Sequence, residues 1–248
     1  MLRTMICSIV GLALGCASFA SAQDPFGEIS GLKLFKPEDK VDVPTTPAPA
    51  GAIVLFDGKS LDAWQNRNGK EMANWTLVEG GVLEVKSPTS DIITKQVFDG
   101  RFQLHVEFRC GYQANATGQR RGNSGIYLQG RYEVQVLDSY GTKGGQKDDC
   151  GAIYSVAAPT SNACKAPTVW QSYDIDFQAP RCENGKKVEP AVMTIHHNGV
   201  KIHDKVPVTI DNSVRGLGGD VCMPGPILLQ ENGCPMQFRN LWLLPMTK

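Results

Sequence analysis

The sequence predicts an all-β fold, a two-sheet antiparallel sandwich of the jelly-roll type. Three observations lead there. Apolar and polar residues alternate in seven segments between positions 76 and 244, and a period of two marks strands with one buried face. Turns rich in Gly, Asn and Asp separate the segments. No window of about 12 residues carries a helical period. Many strands at regular turn spacing in one domain pack as a sandwich or jelly roll.

The elements follow in order. "TLVEGGVLEVK" (76–86) is two short strands around Gly80-Gly81. "RFQLHVEFRC" (101–110) is one long strand, with Phe102, Leu104, Val106 and Phe108 on one side. "SGIYLQ" (124–129) and "RYEVQVLD" (131–138) flank a turn at Gly130, and the second strand puts Tyr132, Val134 and Val136 on its apolar side. "WQSYDIDFQA" (170–179) is another alternating strand. "AVMTIHHNGVKIHD" (191–204) is a hairpin, because Asn198-Gly199 suits a type I′ turn. "PMQFRNLWLL" (235–244) closes the domain.

The chain has 248 residues, 42% hydrophobic and 20% charged, an ordinary globular composition. Its start stands apart. Arg3, a short apolar run and "ASA" at Ala20–Ala22 make a secretory signal peptide over 1–22, with Gln23 as the mature start. Lipidation at Cys16 is the rival reading, disfavoured by Ala13 three residues before it. The apolar run is short for a membrane span. Residues 23–50, with "KPEDKVDVPTTPAPAG" running on to Gly51, read as a proline-rich extended spacer. Residues 51–246 are the folded domain, long enough for one core. The expected location is outside the cytoplasm: periplasm, cell surface or medium. The 25 Lys and Arg, less Arg3, against 25 Asp and Glu leave a mature net charge of −1. There is no basic stripe for nucleic acid and no basic amphipathic helix for a membrane surface.

Export alters how the cysteines read. Cys110, Cys150, Cys164, Cys182, Cys222 and Cys234 remain after cleavage, and an even number in an exported chain favours disulfides. Zinc is the rival, without any C-x-x-C spacing to support it. Sequence proximity suggests Cys150–Cys164 and Cys222–Cys234, leaving Cys110–Cys182 to tie strand ends.

The polar sides of two strands draw attention. Arg131, Glu133 and Gln135 share one side of 131–138, and Arg101, Gln103, His105, Glu107 and Arg109 share one side of 101–110. On a common concave face these groups converge into a polar groove; on a convex one they are a solvated surface. Spacing leaves both open.

"IVLFDGKSLDAW" (53–64), "NWTLVEGGVLEV" (74–85), "FQLHVEFR" (102–109), "GNSGIYLQGRYEVQVLD" (122–138), "GAIY" (151–154), "HNGVKI" (197–202) and "ILLQENGCPMQFRNLWL" (227–243) occur in that order. Together they resemble the 3-keto-disaccharide hydrolase domain family over nearly the whole mature domain. The resemblance implies a concanavalin A-like lectin/glucanase sandwich with its sugar in a concave groove. It also implies cleavage of glycosides oxidised to a ketone at C3. Such a site needs a base near C2, an acid near the leaving oxygen, and positive charge or donors beside the C3 oxygen. A divalent metal ion is one way to meet the last need.

On that reading Glu133, Glu107 and His105 are the expected catalytic groups. Gln135, Arg109, Asn123, Tyr127, Gln129, Arg131, Trp170, Glu231 and Asn232 are the expected sugar contacts, with Tyr127 or Trp170 as a stacking platform. Trp64, Trp75 and Trp242 belong to the core. His196 and His197 point to opposite sides of their strand, so they do not form a metal pair. Family members often carry LQDHG where this chain has "LQENG" at Leu229–Gly233, so Asn232 replaces a histidine. Two rivals use the same fold without catalysis: a carbohydrate-binding module and a cell-surface adhesion domain. A retaining glucanase mechanism fits poorly, because Gln135 stands where those enzymes carry an acid between their two carboxylates.

Overall fold

The computed structural model describes residues 24–29, 31–85 and 87–246. The predicted leader, with Cys7 and Cys16, lies outside the described residues. Among the described residues, fifteen strands and two short 3-10 turns make up the regular structure. Strands β1 (Ile53–Phe56), β3 (Thr76–Val78), β4 (Val82–Glu84), β6 (Arg101–Cys110), β9 (Gln171–Gln178), β12 (Ala191–His197), β13 (Val200–Val208) and β15 (Met236–Met246) form an eight-stranded sheet. Its order is β13-β12-β9-β6-β15-β4-β3, with β1 also pairing β15. Strands β2 (Trp64–Asn66), β5 (Ile92–Thr94), β14 (Leu228–Leu229), β7 (Asn123–Leu128) and β8 (Tyr132–Leu137) form a five-stranded sheet in that order. A small ribbon, β10 (Arg181–Glu183) with β11 (Lys186–Glu189), stands outside both. All strand pairings are antiparallel.

The chain crosses between sheets on both sides of β2, β5 and β14, after β6 and after β8. This makes the two apolar faces meet. Phe102, Leu104, Val106 and Phe108 of β6 share one core with Tyr132, Val134 and Val136 of β8 and Ile126 and Leu128 of β7. Each such side chain taken from water contributes roughly 1.5–3 kcal/mol before entropy is counted. Trp64 and Trp75 are also core, and each indole N–H finds a backbone carbonyl, of Leu55 and Ser90, at 2.8 Å. The Asn198-Gly199 turn has φ of 52° and 78°, the left-handed pair a type I′ hairpin needs. Gln129 and Gly130, between β7 and β8, repeat this with φ of 51° and 64°.

The proline-rich segment does not trail from the domain. The Thr46 N–H and the Thr45 hydroxyl donate to Glu107 of β6, and Trp242 of β15 donates to the Thr46 carbonyl at 3.0 Å. The Val43 N–H donates to the Trp170 carbonyl, and Asp42 accepts from the Trp170 N–H. Farther back, Tyr140 donates to Asp39 and accepts from the Phe35 N–H. The segment is a strap along the outer face of the large sheet.

The cysteine pairing differs from expectation. Cys182 of β10 is bonded to Cys222, and Cys110, Cys150, Cys164 and Cys234 are free. Cys110 faces the core from β6, whereas Cys182 sits on the peripheral ribbon, so the expected Cys110–Cys182 bridge has no route. Cys150 and Cys164 are neighbours, but as thiols. Among the described residues, no helix is long and apolar enough to cross a membrane.

Candidate active site

Because the apolar faces of the two sheets meet, their polar faces point away from each other. Glu107 and His105, on β6, therefore lie across the sandwich from Glu133 and Gln135, on β8. The expected single groove joining Glu107 to Glu133 does not exist. Both alternations were real; the chain changes sheets between them.

The β6 cluster is a closed ionic network. Glu107 and His105 are fully buried. Glu107 accepts from Arg239 at 2.6 Å, Asn240 at 2.7 Å and the strap. His105 bonds Asp174 at 2.7 Å and reaches Glu107 at 3.5 Å, while Trp242 stacks on its ring. Burial pushes the Glu107 carboxyl up, but hydrogen bonds from His105, Asn240 and Arg239 outweigh it and hold it at about 2. Trp170 is no sugar platform: it is buried, with Arg109 and Arg239 packed on its ring at 4.8 and 4.2 Å. Arg109 is held by Gln237 and lies over Phe26 as well. None of these side chains reaches the β8 face.

The β7–β8 turn removes two more expected contacts. Gln129 is a turn residue whose amide donates to the Phe98 carbonyl. Arg131 donates to the carbonyls of Gly218, Asp220 and Met223, so it clamps the 218–223 loop.

What remains forms a groove on the outer face of the five-stranded sheet. Register places Tyr127 beside Glu133 and Gly125 beside Gln135. The next strands add Leu228 and then Ile93 to the same face. One half of the groove, about 100 Å³, is lined by Gln119, Asn123, Glu133, Gln135, Tyr154, Val214, Arg215, Gln230 and Asn232. The other half, about 390 Å³, is lined by Arg67, Thr89, Ser90, Asp91, Arg215 and Glu231. Arg215 is common to both and joins them.

Glu133 is the group best placed to act. Gly125 makes room for it: a Cβ there would stand 2.5 Å from a Glu133 carboxylate oxygen. The carboxyl therefore lies across the neighbouring strand. Burial pushes its pKa up to about 7, against the lowering effects of the nearby Tyr127 hydroxyl and the Arg215 charge; Asp91 adds to the rise. Tyr127 lies beneath the groove rather than presenting a ring to it. It is fully buried, its hydroxyl donates to the Val214 carbonyl, and Gln230 donates to it.

A second set of contacts fixes Arg215. Its guanidinium donates to Asp91 at 3.2 Å, to Asn232 at 2.9 Å and to the Glu231 carbonyl at 3.0 Å. Asp91 is buried and also takes Arg67 at 2.8 Å and the Glu231 N–H at 2.9 Å. Gln135 donates to Gln119, and Asn123 donates to the same Gln119 amide oxygen, so three amides line one wall. The half of the groove around Glu133 is thus one buried carboxyl of raised pKa, one fixed guanidinium and a row of amides. Asp91 already serves two arginines and a backbone N–H, so it is not a free ligand for a divalent ion.

Of the residues expected from sequence, Glu133, Gln135, Asn123, Glu231 and Asn232 line this groove and Tyr127 supports it. Asp91, Arg67, Arg215, Gln119 and Tyr154 were missed. Most lie on loops or just beyond strand ends, where alternation carries no signal. The available hints were the "GAIY" motif, which ends at Tyr154, and the "LQENG" departure, whose Asn232 proves to hold Arg215.

Comparisons with known proteins bear on the family and the fold. The sequence pattern of the 3-keto-alpha-glucoside-1,2-lyase-like domain matches residues 51–244. Among solved structures, one protein of Parabacteroides distasonis ATCC 8503, described as a "putative glycosyl hydrolase", is 37% identical. The match covers 86% of this chain and 94% of that one, with a TM-score of 0.70. A second protein of that organism with the same description is 19% identical, covering 79% and 94%, with a TM-score of 0.58, and shares the fold. No curated protein matches the chain.

Proposed function

The chain belongs to the 3-keto-alpha-glucoside-1,2-lyase-like domain family, and from that premise we propose that it cleaves glycosides whose sugar carries a ketone at C3. The observation that carries this reading is Glu133: a buried carboxyl, pushed up to about 7, over Gly125 in a groove lined by amides and one arginine. A base of that pKa is half ionised near neutral pH, where proton abstraction is most efficient.

The chemistry then runs as elimination. The ketone acidifies the C2 hydrogen. Glu133 takes that proton, and the C–H electron pair forms an enolate whose charge rests on the C3 oxygen. Arg215, fixed by Asp91 and Asn232, supplies positive charge beside it. Collapse of the enolate expels the C1 oxygen with its electron pair and leaves a C1–C2 double bond. Tyr154 is the donor for that oxygen: burial and the Glu133 charge both keep its phenol protonated. Water added across the double bond completes a net hydrolysis. Gln119, Gln135 and Asn123 bind sugar hydroxyls. Exported in line with its leader, the protein meets oxidised glycosides outside the cytoplasm, and a separate oxidoreductase has to supply them.

The test is sugar release from a 3-keto-disaccharide and from its unoxidised parent. The 3-keto compound should react and the parent should not. Glu133→Gln should lose about 10²–10⁴ in turnover while still binding. Saturable sugar binding without release by the wild type would move the assignment to a binding module. Absence of any binding would leave the adhesion reading.

A further inference from the structure

We propose that Cys150, Cys164 and His197 form a binding site for a soft divalent metal ion of the zinc type, behind the groove wall. Neither the family nor the groove chemistry calls for this site, and it stands independently of them.

One ligand atom from each of the three residues lies within 4.8 Å of the others. Around a tetrahedral zinc ion such atoms sit about 3.5 Å apart, given metal–ligand bonds of roughly 2.0–2.3 Å. Both cysteines are on the long connection between β8 and β9, so a modest movement of that loop closes the set. His197 ends β12 with its side chain inward, against Phe108 and Tyr173.

The second observation is the state of His197. The residue is fully buried, and its Nδ1 has no hydrogen-bond partner. Its Nε2 lies 3.0 Å from Gln171 Oε1. That Gln171 atom must be the oxygen, because it also accepts the backbone N–H of Lys165 at 2.9 Å. Nε2 therefore carries the hydrogen and Nδ1 keeps a bare lone pair. A histidine that donates one ring nitrogen to a carbonyl and offers the other is the usual arrangement of a metal ligand.

A Cys150–Cys164 disulfide would join the sulfurs but leave Nδ1 unsatisfied. A cation satisfies all three groups. Two thiolates and a neutral imidazole balance a divalent charge, the two thiol protons pass to solvent, and the fourth position falls to water. Cys164 is partly exposed, which gives the ion an entry. The ion would clip the loop to β12. Tyr173 ties this region to the groove: its hydroxyl meets Cys150 Sγ at 3.0 Å and donates to the Gln135 carbonyl at 2.8 Å.

Cobalt(II) titration of the purified, reduced, metal-free protein tests the site. Thiolate-to-cobalt charge transfer and tetrahedral d–d bands should saturate at one equivalent, and zinc should displace them. Cys164→Ser and, separately, Cys150→Ser should abolish the charge-transfer band in folded protein, while Cys234→Ser keeps it. Gln171→Leu should weaken binding about 10–100-fold, as loss of an outer hydrogen bond to a ligand does. Absence of the bands in folded wild-type protein with its thiols intact overturns the site. So does persistence of the bands in both cysteine variants. A Cys150–Cys164 disulfide in the protein as isolated, found by non-reducing peptide mapping, also overturns it.

Discussion

Glu133 illustrates how a single residue trades stability for reactivity. Its carboxyl is buried, so the folded state prefers it protonated, with a pKa of about 7 against the ordinary 4.5. The folded protein then binds more protons than the unfolded chain between those values. The neutral acid is favoured below pH 4.5, and that advantage is lost as pH rises through 7. At pH 8 the ionised carboxylate costs up to about 3 kcal/mol by this shift. Glu133→Gln should therefore unfold at higher denaturant concentration than wild type at pH 8, and the gap should close by pH 4. Turnover should move the opposite way, with wild-type kcat/KM rising through pH 7 as the base ionises. Gly125→Ala tests the same placement without touching the carboxyl. Its Cβ would occupy the space of a Glu133 oxygen, and displacement of the base should cost about 10² in kcat/KM. An unaffected Gly125→Ala enzyme would mean that the carboxyl does not act from this position.

At the scale of the element, β6 and β8 carry polar faces of similar composition and different purpose. The β6 face is closed by the strap and by β15, leaving no room for a ligand beside Glu107. Its low pKa makes it a stability group: the contribution is full above pH 4.5 and is lost as pH falls toward 2. Glu107→Gln leaves Arg239 and His105 short of a buried partner and should cost about 3 kcal/mol in chemical denaturation. The kcat/KM of the folded fraction should stay within a few-fold of wild type. A large loss of activity without loss of stability would return Glu107 to the catalytic list. Arg131→Ala should act on the groove indirectly. It frees the 218–223 loop, so substrate affinity should weaken through the adjoining segment that carries Val214 and Arg215, with the chemical step less affected. Strand alternation made both faces readable, and the Asn198-Gly199 turn was equally plain. Which sheet each strand joins was not readable, because the crossover after β6 leaves no mark in a period of two.

Over the whole molecule, what could be read was what recurs. Alternating strands gave the sandwich, and the "NSGIYLQGRYEVQVLD" run led to Glu133, Gln135 and Asn123. What could not be read depends on distant parts of the chain meeting. Asp91, Arg67 and Arg215 are brought together by the fold from segments more than 20 and 120 residues apart, at 2.8 and 3.2 Å. The Cys182–Cys222 bond spans 40 residues and joins the side ribbon to a loop, against a guess based on nearness in sequence. The strap looked like a linker because its composition says extended and says nothing of what it lies on.

The most direct test of the central claim is the fate of the C2 hydrogen. A 3-keto-disaccharide protonated at C2 should be incubated with the enzyme in D₂O and its early products followed by NMR. Proton abstraction by Glu133 predicts loss of the C2 proton signal as sugar is released, and neither event with Glu133→Gln. Release of sugar with the C2 proton fully retained would contradict the account, because the bond would then have been cleaved without the base.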